Sequence, residues 1–340
     1  MGAVDRQSAS ASWRQLTHGV MIFNNMKKVS EEYKRLYHYT TWEGLMGILK
    51  EQTLWATHYR FLNDASEIVL IKNKLLEFIS PIIRKEYQRL IKKSNEIKVA
   101  IDNSGGMEAV ILHDSLSIIE AAYYATGNEI YIVSFCGEKK DDYVNNNGLL
   151  SQWRGYSAGG GVALVFNTEQ LEQLLKKEAE RYSYGPSFIA NVIYSDDKIS
   201  FEQELASSLS DFIDYVQQMF ITLQGTSLEP PDASKAFPAF VQLIARYKHH
   251  AFKEEDELRI VCYVPHSHES KHEKKRKFRS KNGMLIPYIE LFDSDDFVLP
   301  IEKIIIGPHK ERETRAVTLQ VMLRKKDIEI SISDIPFIER

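Results

Sequence analysis

The alternation of hydrophobic and polar positions predicts a chain in which short strands and helices are interspersed. Arg35 to Thr40 is rich in aromatic residues, which favour pleated, half-buried surfaces, and it predicts a first strand. Thr40 or Thr41 then caps a helix whose apolar residues, between Trp42 and Leu49, share one face. Leu54 to Thr57 predicts a second strand, so the chain begins as strand, helix, strand.

The rest of the chain continues this mixture without a regular strand–helix–strand alternation. Helical spacing predicts helices over about 68–93, 109–125, 200–224, 237–251 and 311–324. Strand patterns occur at 129–136, 162–166, 189–194, 258–264, 284–291, 301–306 and 328–332. This order favours an α+β fold with a mixed or antiparallel sheet core. We expect a single catalytic α+β domain over residues 31–340, with helical insertions at about 68–127 and 200–250.

Composition narrows the function classes. The 340 residues carry a net charge of −4, with 44% hydrophobic and 26% charged residues, so a disordered chain and a generally basic nucleic-acid coat are excluded. Two cysteines, Cys136 and Cys262, exclude a disulfide scaffold and suit a reducing, cytoplasmic setting. No apolar run approaches 18 residues, so we expect no membrane span. Residues 1–30 are expected to be a disordered or vector-derived segment.

Polar and aromatic side chains cluster around the first strand and the turn after the second. The first strand places His38 and Thr40 on one face and Tyr39 on the other. The turn carries Arg60, Asn63, Asp64 and Glu67. Asp64 and Glu67 have capping-box spacing, so a simple helix N-terminus explains them as well as a functional site does.

Two later segments also carry more polar groups than packing requires. Gln152, Trp153, Arg154 and Tyr156 occur together, where Trp153 with Arg154 also suits simple packing. Further on, a strand opening at Glu257 would point Glu255, Glu257 and Arg259 the same way. A hydrophobic core would not select these side chains, so this face is either a solvated edge or part of a site.

A basic segment stands out on this acidic chain. Between Lys271 and Lys281, 7 of 11 residues are Lys or Arg. It is either a solvated loop or a phosphate-contacting loop with Phe278 available for stacking. In the second case the nucleic-acid contacts would be Lys274, Lys275, Arg276, Lys277 and Arg279. His266, His268 and His272 lie just before and within it, but this region suggests a hairpin tip, and we predict no metal site.

Taken together, the motifs resemble a known family. From about Tyr37 to Pro336 their order and content are similar to the domain of unknown function 2971 family of bacterial proteins. The opening strand and helix are more distantly similar to the DNA-modifying toxin branch of the ADP-ribosyltransferase superfamily, an analogy at the level of fold. The motifs are Tyr37-His38-Tyr39-Thr40, Leu54-Trp55-Ala56, Arg60 to Glu67, Ser134-Phe135-Cys136, Leu150 to Tyr156, Gly161 to Leu164, and Phe252 with Glu255 to Arg259.

The superfamily resemblance implies an ADP-ribosyltransferase-like core, with NAD as substrate and no metal. It implies that His38 holds the adenosine ribose, and that Glu257, or next Glu255, stabilises positive charge at the scissile bond. Arg60 is the candidate for a phosphate or the acceptor. The nicotinamide would stack on Tyr156 or Trp153. The implied substrate-binding set is His38, Tyr39, Thr40, Arg60, Asn63, Gln152, Trp153, Arg154 and Tyr156.

The residues leave alternatives open. A DNA glycosylase that excises a modified base from phage DNA would use Asp64 or Glu67 as its base and residues 274–281 on the duplex. A non-catalytic nucleotide-binding module would bind without turnover. A phage-defence or toxin role is implied by the relatives, and the oligomeric state stays open. In the enzyme we expect His38, Arg60, Asp64, Trp153 and Glu257 to line one pocket.

Overall fold

The computed structural model describes residues 28–62, 66–126, 129–157, 159–197, 203, 210–220, 233–264, 272–281 and 283–336. The strands are β1 Arg35–Thr40, β2 Leu54–His58, β3 Ile130–Gly137, β4 Val162–Asn167, β5 Ser187–Asn191, β6 Ile193–Tyr194, β7 Tyr247–Lys248, β8 Glu257–Tyr263, β9 Lys277–Lys281, β10 Met284–Leu291, β11 Ile301–Ile306 and β12 Glu329–Ile332. The helices are α1 Trp42–Glu51, α2 Ser66–Ile91, α3 Asn95–Asn103, α4 Met107–Thr126, α5 Asp142–Asn147, α6 Leu150–Tyr156, α7 Thr168–Arg181, α8 Ala233–Arg246 and α9 Arg312–Met322, with a further helical stretch at 210–220.

Most of the strands form one large sheet. Within the ranges above, ten strands belong to it, with β12, β11, β4, β1, β3, β2, β10 and β9 side by side, β8 paired with β3, and β5 paired with β8. All of the pairs are antiparallel except β11 with β12. The predicted mixture of helices with a mostly antiparallel sheet is therefore confirmed.

Strand β3 sits at a fork in this sheet. One of its edges pairs with β8 from Ile130 to Cys136. The opposite edge pairs with β2 near Ile132 and with β1 only near Cys136. Strand β1 meanwhile stays paired with β4 as far as Thr40. Because β1 leaves β3 to follow β4, the middle of β3 keeps one edge without a strand partner in the described structure, and a gap opens beside it.

Hydrophobic cores lie on both faces of the sheet. On one face, Leu36 and Phe135 pack with Leu45 of α1, Leu171 of α7 and Leu319 of α9. On the other face, side chains of β3 and β8 pack against α2, α4 and α8 through Ile132, Val261, Leu75, Ile119 and Ile244. Helices α2, α3 and α4 lie between β2 and β3, and the stretch at 210–220 and α8 lie between β6 and β7.

The structure corrects two predictions at the level of elements. The end of the N-terminal segment is part of the fold, because Val29 is buried and the Ser30 hydroxyl donates to Glu172 at 2.6 Å. The prediction for residues 1–27 lies outside the described residues. The basic segment is not a loop throughout, since Lys277–Lys281 forms strand β9 against β10. No helix within the described ranges is long and apolar enough to cross a membrane.

Candidate active site

A cleft of about 650 Å³ opens at the fork between β1 and β3. Its walls come from β1, α1, β2, β3, α6, β8 and the β9–β10 hairpin. The structure therefore gathers segments that are more than 200 residues apart in the sequence, from His38 to Glu257. Of the predicted site residues, those that line the cleft are His38, Tyr39, Thr40, Gln152, Tyr156, Glu255, Glu257 and Arg279.

His38 occupies the fork itself. Its Nδ1 lies 3.0 Å from the carbonyl oxygen of Ser134, on the β3 edge that lacks a strand partner. A carbonyl only accepts, so Nδ1 carries the proton and Nε2 is left as an acceptor in the neutral ring. Burial lowers the pKa of His38, with the Ser134 hydrogen bond opposing, so the ring is neutral at pH 7. The fork thus fixes both the orientation and the tautomer of His38.

Three carboxylates and two cations form a buried cluster on the far wall. Glu257 accepts from Arg259 Nε through Oε1 and from Lys248 Nζ through Oε2, each at 2.7 Å. Arg259 also donates to Glu67 Oε1 at 2.6 Å, and Lys248 donates to Glu255 Oε2 at 2.8 Å. All five side chains line the cleft. With every group ionised, the cluster carries one net negative charge.

The two glutamates of the β8 segment differ in their protonation behaviour. Burial would raise the pKa of Glu257, but Arg259 and Lys248 outweigh burial and hold this pKa at about 2. Burial raises the pKa of Glu255, and Lys248 offsets this only in part. Both oxygens of Glu257 are occupied, whereas Oε1 of Glu255 has no partner among the described residues. Glu255 is therefore the carboxylate with spare capacity to accept a hydrogen bond.

A left-handed residue places both glutamates at the cleft. Asp256 has φ of 47° and joins the short 3₁₀ helix His250–Glu255 to β8. Aspartate adopts this conformation more readily than most residues. The Asp256 carboxylate accepts a hydrogen bond from the Tyr33 hydroxyl at 3.2 Å and lies 3.1 Å from Lys139 Nζ. The turn thus lets Glu255 and Glu257 face the same space.

Helix α6 directs two adjacent side chains, Gln152 and Trp153, to different surroundings. The Gln152 side chain is 4% exposed and lines the cleft, and its amide has no hydrogen-bond partner in the described part of the chain. Tyr156, one turn later, stands at the rim and is 36% exposed. Trp153 points the other way, where Nε1 donates to the Asn147 carbonyl at 2.9 Å and its ring packs edge-on against Tyr39 at 4.9 Å. The Gln152 side chain thus points into the cleft, whereas the Trp153 side chain points into the core.

Helix α1 brings its backbone close to the cleft through two glycines. Gly44 and Gly47 both line the space. A Cβ at Gly44 would overlap the Thr40 hydroxyl, whereas a Cβ at Gly47 would meet nothing within 4 Å. Glycine at 44 is therefore required by Thr40, and glycine at 47 leaves room on the ligand side.

Several predicted site residues lie elsewhere. Arg60 is exposed, its Nε donates to the Tyr59 hydroxyl at 2.9 Å, and it does not line the cleft. Arg154 is exposed and also stays outside. Trp153 is 2% exposed, so the structure does not support it as a stacking wall for a ligand. The predictions for Asn63 and Asp64 lie outside the described residues.

Most of the predicted nucleic-acid contacts are engaged in ion pairs. Lys274 is buried 2.6 Å from both Glu178 and Asp293. Arg276 lies 2.6 Å from Glu129 and also pairs with Glu273. Lys277 lies 2.5 Å from Glu290, and Lys275 is exposed. Three of the five predicted contacts are thus paired with carboxylates, most of which come from other parts of the fold, and the local run of basic residues did not reveal these partners.

Sequence reasoning missed two contributors to the cleft. Lys248 donates to Glu255 and Glu257, and Trp55 forms a partly exposed wall. Arg259 was predicted only to share a face with the two glutamates, and Arg279 only as a nucleic-acid contact. The Glu255–Arg259 spacing signalled a shared face, but nothing local signalled Lys248 as a partner. In the described residues no group of three or more His, Cys, Asp or Glu side chains could hold a metal ion, and His266 and His268 lie outside them.

Fold and cleft together define an α+β protein with a charged cleft where one strand of its sheet forks. A family model described as a protein of unknown function, DUF2971, matches residues 152–260, from α6 into β8. This match confirms the resemblance to the DUF2971 family that the motifs predict. No curated protein and no solved structure matches the chain.

Proposed function

We propose that the protein is an enzyme that acts on an N-glycosidic bond at a ribosyl anomeric carbon, with NAD as substrate. The reaction is ADP-ribosyl transfer or NAD hydrolysis on an ADP-ribosyltransferase-like core. The observation that carries the proposal is the convergence of His38, Glu255 and Glu257 on one cleft. A first-strand histidine and a late-strand glutamate are the two groups that the superfamily resemblance implies.

The electrostatics of the cleft suit this chemistry. Breaking an N-glycosidic bond develops positive charge at the anomeric carbon. A cluster with one net negative charge, held rigidly away from bulk water, stabilises such a charge without reorganising. Lys248 and Arg259 keep Glu257 ionised, so the Glu257 carboxylate carries its charge across the neutral pH range.

Each residue then has a role in the proposed reaction. The bond between the anomeric carbon and the nicotinamide nitrogen breaks, and its electron pair neutralises the pyridinium ring. An oxygen of water or of an acceptor attacks the anomeric carbon, and its proton passes to Glu255 Oε1. The raised pKa of Glu255 makes it a stronger base than an exposed glutamate. Nε2 of His38 accepts a hydrogen bond from a ribose hydroxyl. The Gln152 amide binds a polar group of the substrate.

The test is nicotinamide release from NAD, with and without nucleic-acid or protein acceptors. We expect turnover by the native protein and a loss of about 100-fold or more in Glu255→Gln, since general-base groups contribute on that scale. Glu254→Gln is the matched control, because Glu254 is the adjacent carboxylate but is exposed and does not line the cleft. If the native protein releases no nicotinamide under any of these conditions, the proposal is wrong.

The same assay separates the alternatives. A nucleotide-binding module would bind NAD without releasing nicotinamide. A DNA glycosylase would instead leave abasic sites in modified duplexes, but its supporting observation was the basic segment. Because Lys274, Arg276 and Lys277 are held in ion pairs, that observation no longer favours it. A toxin or phage-defence role is tested by expressing the native chain and Glu255→Gln side by side and comparing growth and phage resistance.

A further inference from the structure

Arg279, in the basic segment, lines the cleft. Its NH2 donates to the Thr57 hydroxyl at 2.9 Å. The guanidinium lies over the Trp55 ring at 5.5 Å and near the Tyr288 ring at 5.9 Å. The pairing of β9, β10 and β2 places these side chains on one face of the sheet. Aromatic rings and a hydroxyl therefore hold the guanidinium plane in a defined orientation.

The charge of Arg279 has no counter-ion in the described structure. No carboxylate lies within ion-pair distance, and its Nε is buried without a hydrogen-bond partner. Its neighbours Lys274, Arg276 and Lys277 each contact at least one carboxylate. A half-buried cation with an unused donor costs stability, unless an anion from outside completes it.

Arg279 lies at the opposite end of the cleft from the carboxylates. Thr57, its contact, is paired with Ile132 of β3, whereas Glu257 is paired with Cys136. Four residues of strand separate these two positions, which is about 13 Å. Lys281 lines the same end as Arg279. The cleft thus has an anionic end at β8 and a cationic end at β9.

We propose that Arg279, assisted by Lys281, forms a subsite for a phosphate group of a nucleotide ligand, with Trp55 as a stacking wall beside it. The planar guanidinium presents paired donors that match phosphate oxygens, and Trp55 is 42% exposed at the same place. The phosphate belongs to a free nucleotide or to a nucleic-acid strand. The subsite rests on the proposed function only in treating the cleft as a nucleotide site, and it requires no bond cleavage.

The test measures binding of ADP, adenosine and a short single-stranded oligonucleotide to the full chain by calorimetry. We expect ADP to bind more tightly than adenosine, and Arg279→Gln to weaken ADP binding about tenfold or more while leaving adenosine binding unchanged. Lys275→Gln is the control, because it removes one positive charge from the same segment at an exposed position outside the cleft. A dependence on Arg279 for the oligonucleotide alone would assign the phosphate to a strand.

Three results would overturn the subsite. They are equal affinity of Arg279→Gln and the native chain for both ADP and the oligonucleotide, an equal loss in Lys275→Gln, or no binding of either ADP or the oligonucleotide to the native chain. Misfolding is controlled by thermal unfolding, where Arg279→Gln should still unfold cooperatively, with a small loss of stability from the Thr57 hydrogen bond and the aromatic contacts. Arg279→Lys keeps the positive charge but lacks the planar guanidinium, so it should bind ADP with intermediate affinity. Loss of NAD cleavage in Glu255→Gln with normal ADP binding separates this proposal from the proposed function.

Discussion

Replacing Glu257 with glutamine tests the buried charge cluster most directly. The amide keeps the size of the carboxylate but loses its charge, and the cluster changes from one net negative charge to zero. The Gln NH₂ group would also meet Lys248 Nζ or the Arg259 guanidinium, each of which now lies 2.7 Å from a carboxylate oxygen. Donor would then face donor in a buried site, which leaves a cation without its partner.

The structure sets the scale of the loss. A fall in the pKa of Glu257 from 4.5 to about 2 corresponds to about 3 kcal/mol in favour of the ionised folded state. Removing one partner from a buried ion pair costs about 3–5 kcal/mol in general. In the variant, Lys248 still contacts Glu255 and Arg259 still contacts Glu67, so each cation keeps one carboxylate partner. We therefore expect a loss at the lower end of that range, about 3 kcal/mol at pH 7.

Urea unfolding of the native protein and Glu257→Gln at several pH values measures this loss. A carboxylate with a lowered pKa stabilises the fold above its ordinary pKa of 4.5 and loses that contribution as the pH falls toward about 2. The difference between the two proteins should thus be constant near neutrality and shrink below pH 4.5. Glu255→Gln is the control, because folding raises its pKa and so disfavours its charge. A cost below about 1 kcal/mol for Glu257→Gln, or an equal cost for Glu255→Gln, would refute the reasoning.

Three further predictions concern other parts of the molecule. Lys274→Met should lower the free energy of unfolding in urea by about 3 kcal/mol, because it leaves the buried Glu178 carboxylate without its cation, while the folded variant keeps any nucleic-acid affinity in a filter-binding assay. Gly47→Ala should raise the free energy of unfolding by about 0.5–1 kcal/mol, since Ala favours helix and meets nothing there, whereas Gly44→Ala should gain nothing because its methyl displaces Thr40. The neutral His38 should make the native fold lose stability as the pH falls below about 6.5, where the unfolded chain takes up the proton, and calorimetric melting of His38→Gln should show a smaller loss. An unchanged pH slope in His38→Gln would contradict this.

The match between predicted and observed elements depends on how local each signal is. Strand β1 begins and ends at Arg35 and Thr40, as the aromatic run predicts, and Thr41 caps α1 with its hydroxyl 3.2 Å from the Gly44 amide. Period and capping involve neighbours within one or two turns, so they are legible in a single sequence. Strand β9 was missed because five residues with three cations look solvated until β10 is placed beside them.

The candidate site was predictable only in part, for the same reason. Residue types showed that His38, Gln152, Glu255 and Glu257 are unusual where they occur. The strand period predicted that the two glutamates share a face, but Glu255 lies in a 3₁₀ helix, and the left-handed Asp256 brings the two together. The direction of Gln152 toward the cleft and of Trp153 into the core depends on how α6 packs against β1, which no local spacing encodes.

The sequence by itself determined the α+β class, most element positions and the residues worth examining, because period, capping and composition act over short range. The tertiary structure alone decided which charges meet. It joined Arg259 to Glu67 across 192 positions and Lys274 to Glu178 across 96, and among the described residues it left Arg279 without a carboxylate. The pKa of a charged side chain and its capacity to bind a ligand depend on its partner. In a forked sheet, strand order determines that partner, and distance along the chain does not.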